Sequence, residues 1–103
     1  MHNSDLNNTH IFILLMLAEA DDKEHPNEVR FINNVAGRLG MSISDVESID
    51  ANPADLTFQL PKTPVDRMTL MYDMLWLMKI DGNVGQDERD LVVEIGLRLG
   101  FRK

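Results

Sequence analysis

The sequence predicts an all-α fold, a single domain of about five helices in two pseudo-symmetric halves. Three observations lead there. The first is an internal repeat: residues 14–41, LLMLAEADDKEHPNEVRFINNVAGRLGM, align without a gap on residues 74–101, MLWLMKIDGNVGQDERDLVVEIGLRLGF, at a constant offset of 60. Seven of the 28 pairs are identical, namely Leu15/Leu75, Leu17/Leu77, Asp21/Asp81, Glu28/Glu88, Arg38/Arg98, Leu39/Leu99 and Gly40/Gly100. The second is that each copy reads as an apolar helix, an acidic turn and an amphipathic helix closed by Leu-Gly. The third is punctuation, with Pro26 and Pro64 suited to first helical turns and Gly40 and Gly100 suited to left-handed helix stops.

The elements follow in order. A first helix runs from about residue 5 to residue 19, its opening tied by polar Ser4, Asn7, Asn8 and Thr9. A second begins near Pro26 and ends at Gly40, with Glu28 in its first turn, where the helix dipole favours an acid. A short third helix spans about residues 43–52. Two caps compete for its start, Ser42 with Asp45 and Ser44 with Glu47, and the second is the cleaner Ser-x-x-Glu box. Residues 52–63 form the connector between the halves, with Pro53 and Pro61. Its alternating Leu56, Phe58 and Leu60 have no partner strand, so the segment is read as a loop that pins apolar side chains to the core. Thr63-Pro64-Val65-Asp66 starts a fourth helix that reaches about Ile80 with almost no polar face. Such a helix is central to a bundle or also buried in an oligomer interface. The last helix spans about residues 86–99, with Leu91, Val92, Ile95, Leu97 and Leu99 on its apolar side.

Composition bounds the function. The 103 residues are 44% apolar and 26% charged, as expected of one soluble globular domain covering residues 1–103. Ten basic residues against seventeen acidic ones leave a net charge of −7. Nucleic acid and anionic membrane both require a positive footprint, so neither is expected as a partner. The chain has no cysteine, which removes disulfides and thiolate chemistry and fits a cytoplasmic protein. The longest apolar run, residues 11–18, falls far short of the roughly 20 residues needed to span a bilayer.

The pattern of apolar helix, Asp-Gly-x-(Val/Ile), a Glu seven residues after the Asp and a helix ending in Leu-Gly resembles the TerB-like family. The resemblance covers about residues 10–101 and is strongest at MKIDGNVGQDE, residues 78–88. The family takes its name from a tellurite-resistance protein, and related domains occur in bacterial stress and co-chaperone proteins. The resemblance implies two pseudo-symmetric helical halves and an acidic metal site, carried here by Asp81 and Glu88 and by Asp21 and Glu28. The first copy departs from the pattern: Asp22 replaces the turn glycine, and His25 and Pro26 follow. Asp22 and His25 are therefore additional candidate ligands.

The residues themselves give a physical reason for a cation. In each copy the Asp closes one helix and the Glu opens the next, so an antiparallel hairpin brings both carboxylates to one end of the bundle. Carboxylates that converge repel one another, and a hard cation relieves the repulsion. Calcium or magnesium suits an oxygen-only set, whereas His25 as a ligand favours zinc or manganese. An ordinary EF-hand is excluded, because matching Asp81, Gly82 and Glu88 to its loop puts Leu77 and Lys79 at the first and third ligand positions. Helix capping explains the same acids without a metal: Asp81-Gly82 suits a helix C-terminus, and Glu88 suits the positive end of the next dipole.

Other residues receive plainer assignments. His2 and His10 are read as solvated, Arg38 and Arg98 as dipole partners or local salt bridges, and Trp76 and most of the seven methionines as core. No nucleophile constellation or phosphate loop is present, so an enzyme is not expected. Three functions remain in order of preference: a non-enzymatic TerB-like module that binds a divalent cation and engages a protein partner in a stress response; a metal-independent adaptor or homodimer using the Met-rich helix 64–80, with the acids acting as caps; and a metal-assisted hydrolase.

Overall fold

The computed structural model describes residues 4–19, 26–81 and 86–100. Five α-helices and one 3-10 turn make up the chain in the order α1 (Ser4–Glu19), α2 (Pro26–Arg38), α3 (Ile43–Ala51), the 3-10 turn (Pro53–Asp55), α4 (Pro64–Asp81) and α5 (Gln86–Arg98). The all-α bundle is as the sequence predicts, and no strand occurs among the described residues. No helix is long and apolar enough to cross a membrane among those residues.

The repeat becomes architecture through α1 and α4. These two apolar helices pack on each other; α1 also contacts α2, α3 and α5, and α4 also contacts α2 and α5. Ile11, Ile13, Leu14 and Leu17 of α1 and Leu70, Met74 and Leu77 of α4 are each at most 1% exposed. Around this pair, Ile32, Val35 and Ala36 of α2, Val46 and Ile49 of α3, and Val92, Ile95 and Leu99 close the core. The buried side of α2 runs Glu28, Ile32, Val35, Ala36, the i, i+4, i+7, i+8 spacing of one helical face. The α4–α5 approach is close: a Cβ at Gly96 would lie 2.8 Å from Met71 Cε. The contact is with the flexible end of Met71, which could swing aside for a larger residue.

The repeated Leu-Gly endings are helix stops. Gly40 has φ 78° and Gly100 φ 95°, the left-handed region that glycine enters without steric penalty. At the end of α2 the Gly40 N–H donates to the Gly37 carbonyl at 3.1 Å and the Met41 N–H to Ala36 at 2.8 Å, the paired bonds of a Schellman cap. Gly100 repeats the first of these, donating to Leu97 at 3.1 Å.

Several expectations require correction. The start of α3 uses Ser42, not Ser44: Ser42 Oγ accepts from the Asp45 N–H at 3.1 Å, and the Ser42 N–H donates to Asp45 Oδ2 at 2.9 Å. Val46 and Ile49 are the buried residues of this helix. Thr9 ties the first turn of α1 as expected and also reaches the connector. It is fully buried, its hydroxyl donating to Asp5 O at 2.8 Å and accepting from the Gln59 N–H at 2.8 Å, which ties the connector to α1. Leu56 and Leu60 pack against the core as expected, whereas Phe58 stays 49% exposed and meets Phe12 edge-on with ring centres 6.4 Å apart. Trp76 and Leu97, expected in the core, are 40% and 50% exposed.

The cap assignment gives a direct check. Ser42→Ala should lower unfolding stability in urea by about 1 kcal/mol, and Ser44→Ala should change it by less than about 0.5 kcal/mol. The reverse order would return the start of α3 to Ser44.

Candidate functional site

The acids singled out by the repeat lie at helix ends. Glu28 occupies the first turn of α2 and is only 2% exposed. Asp81 is the last residue of α4, and Glu88 belongs to the first turn of α5, its side chain, like that of Asp81, outside the described residues. Asp21, Asp22 and His25 lie wholly outside the described residues. Among the described residues, no three His, Asp or Glu side chains gather as a metal set. Helix directions bear on the rest. Asn7 of α1 donates to the Leu39 carbonyl just beyond α2 at 3.4 Å, so α2 runs back along α1. His10 of α1 faces Asp73 of α4, and one turn earlier Leu6 and Asn7 share a small cavity with Asp66 and Thr69. The two central helices therefore run in the same general direction. The end of α1, the start of α2 and the end of α4 accordingly fall toward one end of the bundle.

The strongest polar constellation is elsewhere, at mid-bundle. The side chain of Asp73 is 1% exposed, and it receives two partners from two other helices. His10 Nε2 lies 2.8 Å from Asp73 Oδ2. Arg38 approaches with both terminal nitrogens, Nη2 donating to Oδ2 and Nη1 to Oδ1 at 3.4 Å. A two-nitrogen grip of this kind suits the fork of a guanidinium. Burial by itself would raise the Asp73 pKa. The His10 hydrogen bond, followed by the hydrogen bond and charge of Arg38, outweighs burial and holds the carboxyl below its ordinary 3.8. With Asp73 ionised, the carboxylate can only accept, so His10 Nε2 carries the shared proton.

This network corrects the sequence reading of two residues and adds a third. His10 is not solvated but 8% exposed. Arg38 lies in the last turn of α2, where a dipole partner belongs, but its ion pair is not local, since its acid is 35 residues away. Asp73 carried no signal in the sequence, as an acid without a motif in the apolar middle of its helix. The one available cue was the repeat itself. At the offset of 60, Asp73 matches Ile13 and His10 matches Leu70, so the two copies place polar and apolar residues oppositely at equivalent buried positions. Arg98, the repeat mate of Arg38, finds no inner acid; it pairs on the surface with Glu94 at 3.1 Å.

The chemistry available at Asp73 is that of a clasp. The cavity beside His10 is about 60 Å³, room for about two waters and too small for a substrate. Another feature faces outward. Val65, Met68, Tyr72 and Leu75 of α4 are 53–73% exposed and Trp76 is 40% exposed, on the side of the helix turned away from buried Leu70, Met74 and Leu77. Tyr72 and Trp76 stack edge-on at 6.1 Å, and Lys79 Nζ sits 5.2 Å above the Trp76 ring.

Comparison with protein-family models, with curated proteins and with solved structures gives no match for this chain.

Asp73→Ala should destabilise the fold by about 2–3 kcal/mol at neutral pH, less than a fully buried broken pair because Arg38 is half exposed and can reach water. The pH dependence has a definite sign. A carboxyl with a lowered folded pKa stabilises the fold fully above its unfolded value near 3.8 and loses that contribution as pH falls through the folded value. Urea unfolding of both proteins should show their gap narrowing in acid. A gap that stays constant would mean that Asp73 is not held as the anion.

Proposed function

We propose that this chain is a non-enzymatic, TerB-like helical binding module that engages another protein through the outward face of α4. The observation that carries this reading is the stripe of Val65, Met68, Tyr72, Leu75 and Trp76, contiguous and exposed on one helix. Large apolar side chains left in water along a single face are the mark of a contact surface, and aromatic residues with methionine are the types enriched at such surfaces. A homodimer through residues 64–80 is the form of this reading that can be tested without a further component. Light scattering at high concentration should find a dimer, and Met68→Glu/Leu75→Glu should return it to monomer with stability unchanged to within about 0.5 kcal/mol per site. A wild-type monomer would remove the homodimer. A large loss of stability in the variant would make the stripe structural.

A divalent cation at the acidic turns is the second reading, and the placing of Glu28 in the first turn of α2 and of Asp81 at the end of α4, toward one end of the bundle, favours it. Calcium or magnesium suits Asp81, Glu88, Asp21 and Glu28 as oxygen donors; Asp22 and His25 as ligands would favour zinc or manganese. A role in stress response rests on the resemblance to TerB-like proteins, and the cysteine-free composition fits a cytoplasmic setting. Calorimetric titration should give saturable heat with the wild type and none with Glu28→Gln or with Asp81→Asn/Glu88→Gln. At a hundredfold excess over Kd the ion should raise unfolding stability by about 2.7 kcal/mol. No heat from any of the four ions, or equal heats in all three proteins, would leave the acids as caps.

A further inference from the structure

A cavity of about 490 Å³ opens between α1, α2 and α3, away from α4 and its stripe. Its lining comes from one face of each helix: Leu15, Ala18 and Glu19 of α1; Val29, Ile32 and Asn33 of α2; and Ile43, Val46, Glu47 and Asp50 of α3. The i, i+3, i+4 spacing within each set makes the cavity a trough bounded by three helices. Its floor is apolar. Ile32 and Val46 are core residues, while Val29 and Ile43 at the lips are 40% and 58% exposed. Its rim is acidic along α3, where Glu47 and Asp50 lie one turn apart. No Lys or Arg occurs among the described residues that line it.

An apolar trough flanked by carboxylates matches one kind of occupant. We infer that it binds an amphipathic helix of another protein, with apolar side chains entering at i, i+3, i+4 and i+7 and Lys or Arg on the flank that faces α3. Helix-in-groove docking supplies the apolar contacts. The rim carboxylates face the flanking cations, and the net charge of −7 steers a basic segment toward the protein. The same sign of charge repels an acidic helix, an anionic membrane and nucleic acid. This surface is independent of the α4 stripe, so each can fail without the other.

The test uses the full chain and a fluorescent synthetic helix with a leucine stripe flanked by lysines. Two controls accompany it: the same stripe flanked by glutamates, and a scramble of the lysine peptide with its composition kept. Anisotropy should show saturable binding of the lysine peptide alone, weakening as salt is raised. Glu47→Lys/Asp50→Lys and Ile43→Ser should each weaken it at least about tenfold, or ~1.4 kcal/mol. These positions are exposed, and thermal melts confirm that the variants fold. Met68→Glu/Leu75→Glu should bind the peptide like the wild type. Absence of binding would overturn the inference, as would equal binding of the scramble, which would reduce it to bulk charge. Affinity unchanged by the groove substitutions, or lost with the α4 substitutions, would also overturn it. So would dodecyltrimethylammonium filling the groove with the same variant sensitivity while the peptide does not bind, since that would make it a site for small amphiphilic cations.

Discussion

The carboxylate of Asp73 stands where α1, α2 and α4 meet, and much of the molecule follows from keeping it charged there. An isolated carboxylate in an apolar interior is strongly disfavoured, so His10 and Arg38 must arrive together, one from mid-helix and one from the last turn of α2. That requirement sets how far α2 runs back along α1 and how α4 is turned about its own axis. With Asp73 facing inward, the 100° step between helical residues also turns Leu70, Met74 and Leu77 inward. Val65, Met68, Tyr72, Leu75 and Trp76 are then carried to the side away from these three residues, where they face solvent. Such a network contributes less to net stability than to choosing one arrangement among several of similar apolar burial.

Duplication supplies the scaffold, and departures from it supply the polar chemistry. Arg38 and Arg98 occupy equivalent positions before equivalent glycine stops, yet one reaches an inner carboxylate and the other an exposed Glu94 on its own helix. The reason lies in the partners. Ile13 fills the position equivalent to Asp73, and Leu70 fills that equivalent to His10, both without exposure to solvent. The network therefore takes His10 and Arg38 from the first half and Asp73 from the second, while the equivalent inner positions, Leu70 and Ile13, are hydrocarbon. The acidic trough is likewise asymmetric, because one of its walls is α3, an element outside the repeat. The two candidate interaction surfaces consequently belong to different parts of the molecule: one to a repeated helix turned outward, the other to a helix the repeat does not contain.

The helices and their stops were legible in the sequence because they depend on neighbours a few residues apart. Pro26 and Pro64 begin α2 and α4, and Gly40 takes the left-handed conformation that ends α2, as local chemistry requires. Where two local solutions were both sound, as with Ser42–Asp45 and Ser44–Glu47, packing decided between them. The box at Ser42 is formed in a helix that turns Val46 and Ile49 to the core. The placement of Trp76 was not legible for a related reason: α4 is apolar nearly all round, so its periodicity does not say which face is inside.

The sequence by itself determined the all-α class, the five helical spans, the duplicated hairpin plan and the positions of Asp81, Glu28 and Glu88 at helix ends, each set by short-range periodicity and capping. Only the tertiary structure decided that His10, Arg38 and Asp73 form one network, since His10 and Asp73 are separated by 63 residues and Arg38 and Asp73 by 35. No local pattern encodes that meeting. It is fixed when burial of α1 against α4 leaves a carboxylate that must be paired, and His10 and Arg38 reach it.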